Sequence, residues 1–482
     1  MMRSWNFLAL CPLLVLGLAV AAPAGEALWP RYERIVQDFS RAAERLAAER
    51  GEEEEIRRVV RLVNGPPRWF PLRALGPETC REMDPNDAWH ALRRRTAESL
   101  YELAGRAYEA EALHLCYEAL CQSLVIDPDY EPARRIFGYR CFNGQWLTPF
   151  LRRQQRLGLK WHPRWGWVTD AMVPRLERGE RLLRGRWVDL QRARRLLSNW
   201  TNAQRLETEH YRILSTAPVE VTVELARHLE QLHAVFFRLF SEYLPPDDRL
   251  YAVFGRAVSR RLRRLGGRRR RPPRHVVHCY RDRSQFLKAI ARFPVAGKSV
   301  ATGLYVPRQR RVYCYADPGI EGGWIPATLH EATHQLFVEA NSQVSFGPGQ
   351  PNYWVVEGVA AYMESLRLKS DHVELGDWNT PRLKLARQRL VLEKRYVKLA
   401  KLVSLDAKRF GTGDTALLYG QAALVTHFFL HGADGTYRDA FVRYIARVFA
   451  GEADEGTLAE LTGLSYEELD RAIVVHAARR VW

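Results

Sequence analysis

The stretch His330-Glu331-Ala332-Thr333-His334 decides how this 482-residue chain is interpreted. The residues around it favour a helix, because Pro326 suits a first helical turn and apolar side chains follow at helical spacing. His330 and His334 are then one turn apart, so both imidazoles project from the same helix face. Glu331 lies about 100° further round the helix. Two imidazoles and a neighbouring carboxylate are the residue types of a catalytic zinc site.

A second helix, predicted from Tyr353 to Leu366, supplies a further carboxylate. Glu357 stands beside Gly358, and the small glycine lets this helix lie close against a partner helix. A buried carboxylate needs a partner, and a zinc ion held by the first helix would be that partner. Glu357 is therefore the predicted third ligand.

Glu331 has a different predicted role, because its offset places it beside the metal. Zinc brings the pKa of a water ligand close to 7, and a nearby carboxylate completes the removal of the proton as the water attacks a carbonyl carbon. We therefore predict Glu331 as the general base of a hydrolytic reaction.

The segment Trp354 to Tyr362 resembles the W-x-x-E-G-x-A-x-Y segment that follows H-E-x-x-H in gluzincin zinc metallopeptidases. Over about residues 205–482 the chain is similar to the peptidase MA-like branch of that superfamily. The resemblance implies zinc bound by His330, His334 and Glu357, with Glu331 as general base and acid and a peptide or protein as substrate. The third-histidine continuation of metzincins is absent after His334. The G-x-M-E-N-type segment of the aminopeptidase members is also absent before His330, so that activity is not expected.

Gluzincins also place a tyrosine or histidine opposite the zinc to stabilise the oxyanion. Tyr419, on a helix predicted from about Asp414 to Leu430, is the candidate, and Tyr362 is the alternative. Glu364 follows Glu357 by two turns and is in reach of a ligand histidine. Its predicted state is nevertheless a solvated carboxylate.

The fold class predicted for the presumed catalytic half is α+β. Strand-like segments at His210–Ser215, His275–Tyr280 and a hairpin over Thr302–Tyr315 precede the motif helix, and helices follow to the end. This order matches the gluzincin plan of a small mixed sheet, an active-site helix and C-terminal helices. By resemblance, an edge strand within Thr302–Tyr315 binds an extended peptide by β-addition.

Four segments are predicted along the chain: a signal peptide (1–24), a helical domain (25–142), a Trp-rich β segment with a connecting helix over Arg175–Asn202 (143–204), and the metallopeptidase domain (205–482). Asp127 to Arg134 resembles the junction between tetratricopeptide repeats. One such repeat is fewer than a solenoid needs. We therefore expect the helical domain to pack against its neighbour, with a peptide-binding module as the alternative.

The N-terminus has the features of a secretory signal, namely Arg3, an apolar run from Phe7 to Val20 and small residues after it. An exported protein (periplasmic, cell-envelope or extracellular) without a later transmembrane segment is therefore expected. Six cysteines would remain after cleavage, and Cys279 with Cys314 is the best candidate for a disulfide. The alternative is that both are small core residues.

The formal net charge is +18, and ten arginines lie between Arg256 and Arg274. This run either binds an acidic cell-envelope partner or is a solvated loop, and the solvated loop is favoured. Nucleic acid is not expected as a partner, because no aromatic residues interleave with the run and export is predicted.

Two other histidine pairs have metal-like spacing but are predicted to be structural. His427 and His431 lack a glutamate between them, and His275 and His278 point to opposite faces of a strand. The chain is thus predicted to be an exported zinc-dependent peptidase. The alternative is a non-catalytic binding or scaffold protein with a degenerate peptidase domain and a helical adaptor.

Overall fold

The computed structural model describes the following residues: 26–50, 53–66, 68–72, 75–81, 86–243, 250, 253–254, 274–293, 302–319, 323–341 and 344–479. The predicted signal peptide (1–24) and nearly all of the arginine run (256–273) lie outside the described residues.

The N-terminal region is helical, as predicted. Its helices are α1 (Trp29–Arg50), α2 (Glu53–Val63), α3 (Ala88–Glu109), α4 (Leu113–Ile126) and α5 (Glu131–Ile136), with short strands β1 (Trp69–Pro71) and β2 (Glu78–Thr79) between α2 and α3. These helices bury a core of their own, which includes Phe39, Leu100 and Leu120. Glu118 on α4 accepts hydrogen bonds from both Nε and a terminal nitrogen of Arg238, so the region is attached to the C-terminal half by an ion pair.

The region from residue 138 to residue 199 consists of three repeats of a β-hairpin followed by a short helix. The elements are β3 (Arg140–Phe142), β4 (Gln145–Leu147) and α6 (Pro149–Arg156), then β5 (Lys160–His162), β6 (Gly166–Val168) and α7 (Val173–Glu177), then β7 (Arg181–Leu183), β8 (Arg186–Val188) and α8 (Leu190–Leu196). The second strand of each hairpin carries a tryptophan: Trp146, Trp167 and Trp187.

The predicted connecting helix over Arg175–Asn202 is therefore wrong. Gly179 and Gly185 have φ angles of 88° and 76°, which interrupt a right-handed helix and turn the chain into a hairpin. Asp189 then starts a new helix by accepting a hydrogen bond from the Arg192 backbone N–H. A signal for the repeats was present in the sequence, since the three tryptophans are 21 and 20 residues apart.

The C-terminal half, residues 205–482, contains a five-stranded mixed sheet, as the α+β prediction requires. Its strands are β9 (Gln204–Glu207), β10 (Tyr211–Ser215), β11 (His275–Tyr280), β12 (Gly303–Val306) and β13 (Arg311–Tyr315), in the order β12-β13-β11-β10-β9. The three central strands are parallel, and both outer pairs are antiparallel. Strand β12 lies at one edge of this sheet, within the predicted hairpin.

Helices cover this sheet and form the rest of the half. They are α9 (Val219–Leu239), α10 (Arg283–Ile290), α11 (Trp324–Ala340), α12 (Tyr353–Met363), α13 (Pro381–Val391), α14 (Leu399–Val403), α15 (Ala407–Thr412), α16 (Thr415–His431), α17 (Arg438–Ala450), α18 (Thr457–Thr462) and α19 (Tyr466–Ala478). Strand β15 (His372–Glu374) pairs with β14 (Arg367–Leu368) on one side and with β1 on the other, so the N-terminal region contributes a strand to this half. The described helices include none that is long and apolar enough to cross a bilayer.

The predicted cysteine pair is brought together by the sheet. Cys279 on β11 and Cys314 on β13 are register partners on adjacent parallel strands, and both are buried free thiols. Contact between the two side chains and burial raise the pKa of the Cys314 thiol well above its usual value. The predicted proximity is confirmed, whereas the disulfide itself stays a prediction.

Helices α12 and α16 pack closely because Gly358 has no side chain. A Cβ atom at this position would lie 2.8 Å from the Ala422 carbonyl oxygen and 3.0 Å from the Thr426 hydroxyl. Since α12 carries Glu357 and α16 carries Tyr419, this contact sets the separation between the two predicted site residues.

We expect Gly358→Ala to destabilise the fold by about 1–3 kcal/mol, because the added methyl group would force the two helix backbones apart. The matched control is Gly411→Ala, a glycine in helix α15 whose Cβ would meet no atom within 4 Å. The control is expected to be neutral or stabilising by up to about 1 kcal/mol. Denaturant midpoints measure both effects, and equal midpoints for the two variants would contradict the packing argument.

Candidate metal centre

Three predicted ligands converge between helices α11 and α12. His330 Nε2 lies 3.2 Å from Glu357 Oε2 and 3.1 Å from His334 Nε2, and His334 Nε2 lies 3.6 Å from the same carboxylate oxygen. These three atoms all lie within 4.8 Å of one another, and the chain has no other such group of three ligands among its described residues. The side chains are 12%, 17% and 7% exposed, so the cluster is shielded but reachable.

The chemistry of this donor set calls for a cation. The ring of His330 uses its Nδ1 atom for Glu364, at 2.9 Å, so the neutral ring has a lone pair on Nε2. That lone pair, a carboxylate oxygen and the His334 ring nitrogen face one another, and only a proton or a metal ion between them relieves the repulsion. Nitrogen and oxygen donors of this kind suit zinc.

The electrostatics of His330 lead to the same conclusion. Burial lowers the pKa of this imidazole, yet hydrogen bonds and attraction from Glu357 and Glu364 outweigh burial and raise the pKa to about 10. The pKa of Glu357 is conversely held well below its usual value, because the attraction of His334 and His330 overcomes the effect of burial. The surroundings therefore favour positive charge at the point where the three donors meet.

Glu364 is not a solvated carboxylate, so that prediction is wrong. Its Oε1 atom pairs with His330 Nδ1, and both of its oxygens accept from Arg382 on α13, at 2.7 Å each. Helical spacing brings Glu364 back to the face of Glu357, and the guanidinium compensates for burial of the carboxylate. This contact is the arrangement that orients a ligand histidine. Arg382 was not identified from the sequence, because it reaches the site from a separate helix.

Glu364→Gln is expected to weaken zinc binding by about 10–100-fold, because a glutamine keeps the shape but loses the charge that orients His330 and makes it a stronger ligand. Titration against a chromophoric chelator measures the dissociation constant. Glu374→Gln, on strand β15 of the same half, is the control and should leave zinc affinity unchanged. If the two variants bind zinc equally well, Glu364 has no role at the metal.

Tyr353 also belongs to the site, although the sequence reasoning missed it. Its hydroxyl donates to Glu357 Oε1 at 2.6 Å, whereas Glu357 Oε2 faces the two histidines. Burial and the Glu357 carboxylate raise the pKa of the Tyr353 phenol well above its usual value. The signal was available, because residues 353 and 357 are one helical turn apart.

Glu331 lies beside the three donors and contacts the edge strand. Its Oε2 atom accepts a 2.6 Å hydrogen bond from the backbone N–H of Tyr305 on β12. Gly303, on the same strand, makes room for this carboxylate, because a Cβ atom there would lie 2.8 Å from Glu331 Cγ. The edge strand and the predicted general base are therefore in direct contact.

Tyr419 lies at the cluster and Tyr362 does not. The ring of Tyr419 is 6.2 Å from that of His330, and burial together with the Glu357 and Glu331 carboxylates raises the pKa of its phenol well above the usual value. The buried Tyr362 hydroxyl instead bonds His431 Nε2. Of the two alternatives, only Tyr419 therefore lies beside the three donors.

The other two histidine pairs make structural contacts, as predicted. His427 bonds the Gly376 carbonyl oxygen and His476 inside the helical part of the C-terminal half. His275 pairs with Glu339, whereas His278 packs against Trp200.

Comparison with known families gives a match to a family described as "Protein of unknown function (DUF1570)" over residues 325–450. This range runs from the start of α11 to the end of α17, so the chain is similar to that family over all three donors, Glu331 and Tyr419. A comparison with curated proteins finds no match.

Proposed function

We propose that this protein is an exported zinc metallopeptidase of gluzincin type that hydrolyses peptide bonds with Glu331 as general base. One observation carries the proposal: two imidazole nitrogens and a carboxylate oxygen within 4.8 Å of one another, next to a carboxylate that is not one of the three donors. His330, His334 and Glu357 would hold the metal. Zinc at this point would supply Lewis acidity and a water of lowered pKa.

Glu331 is suited to move the proton in this reaction. The Tyr305 N–H binds Oε2 and thereby orients the carboxylate, which leaves Oε1 to take a proton from the attacking water. The same oxygen would later deliver the proton to the departing amine. Strand β12 binds Glu331 and is also the strand to which we propose that the substrate adds. The general base and the substrate would therefore be aligned by the same strand.

The edge strand β12 is suited to hold an extended peptide. In an antiparallel strand the N–H and C=O groups of one residue point to the same side. Since the Tyr305 N–H points away from β13 towards Glu331, the Tyr305 carbonyl and both backbone groups of Gly303 also face the open side. A substrate strand added there would lie alongside the metal centre.

Tyr419 would stabilise the negative charge that develops on the carbonyl oxygen. Its raised pKa keeps the phenol protonated at neutral pH, so it can donate a hydrogen bond. Arg382 lies over the Tyr419 ring, with its guanidinium carbon 5.7 Å from the ring centre, and the same guanidinium holds Glu364. Arg382 therefore contacts both Glu364, which orients the proposed ligand His330, and Tyr419, the proposed oxyanion donor.

The test of the proposal is cleavage of a defined peptide mixture by the purified mature chain, followed by mass spectrometry. Cleavage should require zinc, stop with a zinc chelator and return when zinc is restored. A chain that binds one zinc ion but cuts no peptide or unfolded protein would favour the alternative, a non-catalytic binding protein whose helical N-terminal region, with its tetratricopeptide-like junction, acts as the adaptor.

A further inference from the structure

The positive charge of this protein is concentrated in two segments. Residues 138–203, which include the three hairpin-and-helix repeats, carry ten more basic than acidic side chains. Arg256–Arg274 carries ten more, and the remainder of the chain is slightly acidic. The repeats therefore hold as large a charge excess as the arginine run, and their residues are described by the structure.

Nine exposed arginines of the repeats form no ion pair in the described part of the chain. Arg140 and Arg184 donate to backbone carbonyl oxygens, and Arg195 is attracted by Asp189. We call the other six the arginine surface: Arg152, Arg153, Arg156, Arg186, Arg192 and Arg194. Other charged and polar groups of the repeats face inward and attach the repeats to the C-terminal half. Arg181 pairs with Glu220 of α9, and the Trp167 indole donates to the Glu207 carbonyl oxygen. The arginine surface is thus carried by a docked scaffold rather than by a free loop.

The arrangement fits a linear acidic partner. Arg152 and Arg156 are one turn apart on α6, which places their Cβ atoms roughly 5–6 Å apart, whereas Arg192 and Arg194 on α8 are two residues apart and project from different sides of that helix. Guanidinium groups bind carboxylates through two parallel hydrogen bonds, as Arg175 already does with Glu180, where Nε donates to Oε1 at 3.1 Å and a terminal nitrogen donates to Oε2 at 2.5 Å. An extended chain of carboxylates could contact Arg152 and Arg156 on α6 together and one of the two arginines on α8.

Other polyanions fit less well. The aromatic rings of the repeats are buried or half-buried, and Arg152 covers the Phe142 ring at 4.1 Å, so no open ring is available for stacking nucleic-acid bases. The exposed Leu157 follows the end of α6, whereas Leu190 begins α8. Apolar residues at opposite ends of equivalent helices do not form one face for insertion into a bilayer.

We propose that the arginine surface binds acidic polypeptide segments and recruits protein substrates that carry them. The choice of a polypeptide over other acidic polymers rests on the proposed peptidase function. The repeats contact β9, at the opposite edge of the sheet from β12, and four strand spacings separate the two edges by roughly 19 Å. At about 3.3 Å per residue, the acidic segment must lie at least about six residues from the bond that is cut.

Binding is tested with a fluorescein-labelled peptide of twelve glutamates, by anisotropy, on the full mature chain carrying Glu331→Gln so that nothing is cleaved. Combined substitution of Arg153, Arg156 and Arg192 by glutamine should weaken binding at least tenfold. The same charge change at the exposed Arg31, Arg34 and Lys408 should alter it less than twofold. Added salt should weaken the wild-type interaction, because exposed charges are screened.

Four results would overturn the proposal. The first is no binding of the glutamate peptide, and the second is an equal loss in the control variant. The third is a loss that follows substitution of Arg268–Arg271 alone, which would assign binding to the arginine run. The fourth is tighter binding of polygalacturonate, oligo-thymidine or phosphatidylglycerol vesicles than of the glutamate peptide, which would assign the surface to another class of partner.

A cleavage assay separates this proposal from the proposed function. A peptide that the wild-type chain cuts is extended by a ten-residue linker and twelve glutamates, and kcat/KM should rise at least fivefold over the same peptide with twelve glutamines. The triple arginine variant should lose this gain and keep its rate on the unextended peptide. Binding of the glutamate peptide without cleavage of any peptide would overturn the peptidase and the recruitment of substrates, but not the binding surface.

Discussion

Glu331→Gln is expected to keep zinc bound at wild-type stoichiometry and to lower kcat/KM for peptide cleavage by roughly a thousandfold or more. Glutamine preserves the shape of the side chain and can still accept from the Tyr305 N–H, so the fold and the three donors stay in place. It cannot take a proton from water. Zinc analysis and peptide kinetics on the same preparation measure both parts of the prediction.

The matched control for this substitution is Glu393→Gln, a glutamate to glutamine change at a surface side chain that is 37% exposed. It should cleave at the wild-type rate. If Glu331→Gln also cleaves at that rate, Glu331 is not the base. If it loses zinc, the carboxylate belongs to the metal ligands, and the proposed division of roles between Glu331 and Glu357 is wrong.

Glu357→Ala is expected to remove tightly bound zinc from a chain that otherwise retains about one ion per molecule. Structural zinc sites with four ligands bind with about 10–16 kcal/mol, or about 3 kcal/mol for each ligand, so losing one ligand weakens binding by roughly a hundredfold or more. The loss should be visible as metal content after dialysis against trace zinc, measured by elemental mass spectrometry.

Tyr353→Phe distinguishes loss of a ligand from general damage around Glu357. This variant removes the hydroxyl that donates to Glu357 Oε1 but leaves the Oε2 atom that faces His330 and His334. It should retain zinc with a modestly weaker affinity. Full zinc retention by Glu357→Ala would exclude Glu357 as a ligand, and zinc loss in both variants to the same extent would point to damage of helix α12.

The helical period alone was enough to bring His330 and His334 to one face of α11, because residues four apart on a helix are neighbours. Local pattern likewise predicted the strands that became β10, β11, β12 and β13, where apolar alternation and turn residues agree. The same local rules failed over Arg175–Asn202, where charged residues of good helix propensity outnumbered two glycines. Those glycines have positive φ angles and decided the conformation.

The surroundings of the predicted donors required the tertiary structure. Glutamate is a residue type that usually lies on the surface. Only the structure shows that Arg382, from α13, holds the Glu364 carboxylate against the His330 ring. Tyr419 was the candidate and Tyr362 the alternative in sequence, and the packing of α16 brings Tyr419 to the cluster and turns His431 towards Tyr362. These contacts join residues from different helices, so no local pattern encodes them.

By itself, the sequence determined which side chains have the chemistry of a zinc site and which two of them share a helix face, because both follow from residue type and short-range geometry. The tertiary structure places Glu357, predicted from the sequence, beside these histidines. It alone decided that the edge strand touches Glu331 and that the repeats lie against the far edge of the sheet. Such placements depend on how helices and strands distant in sequence pack together, as at Gly358, where the absence of one side chain sets the distance between two helices.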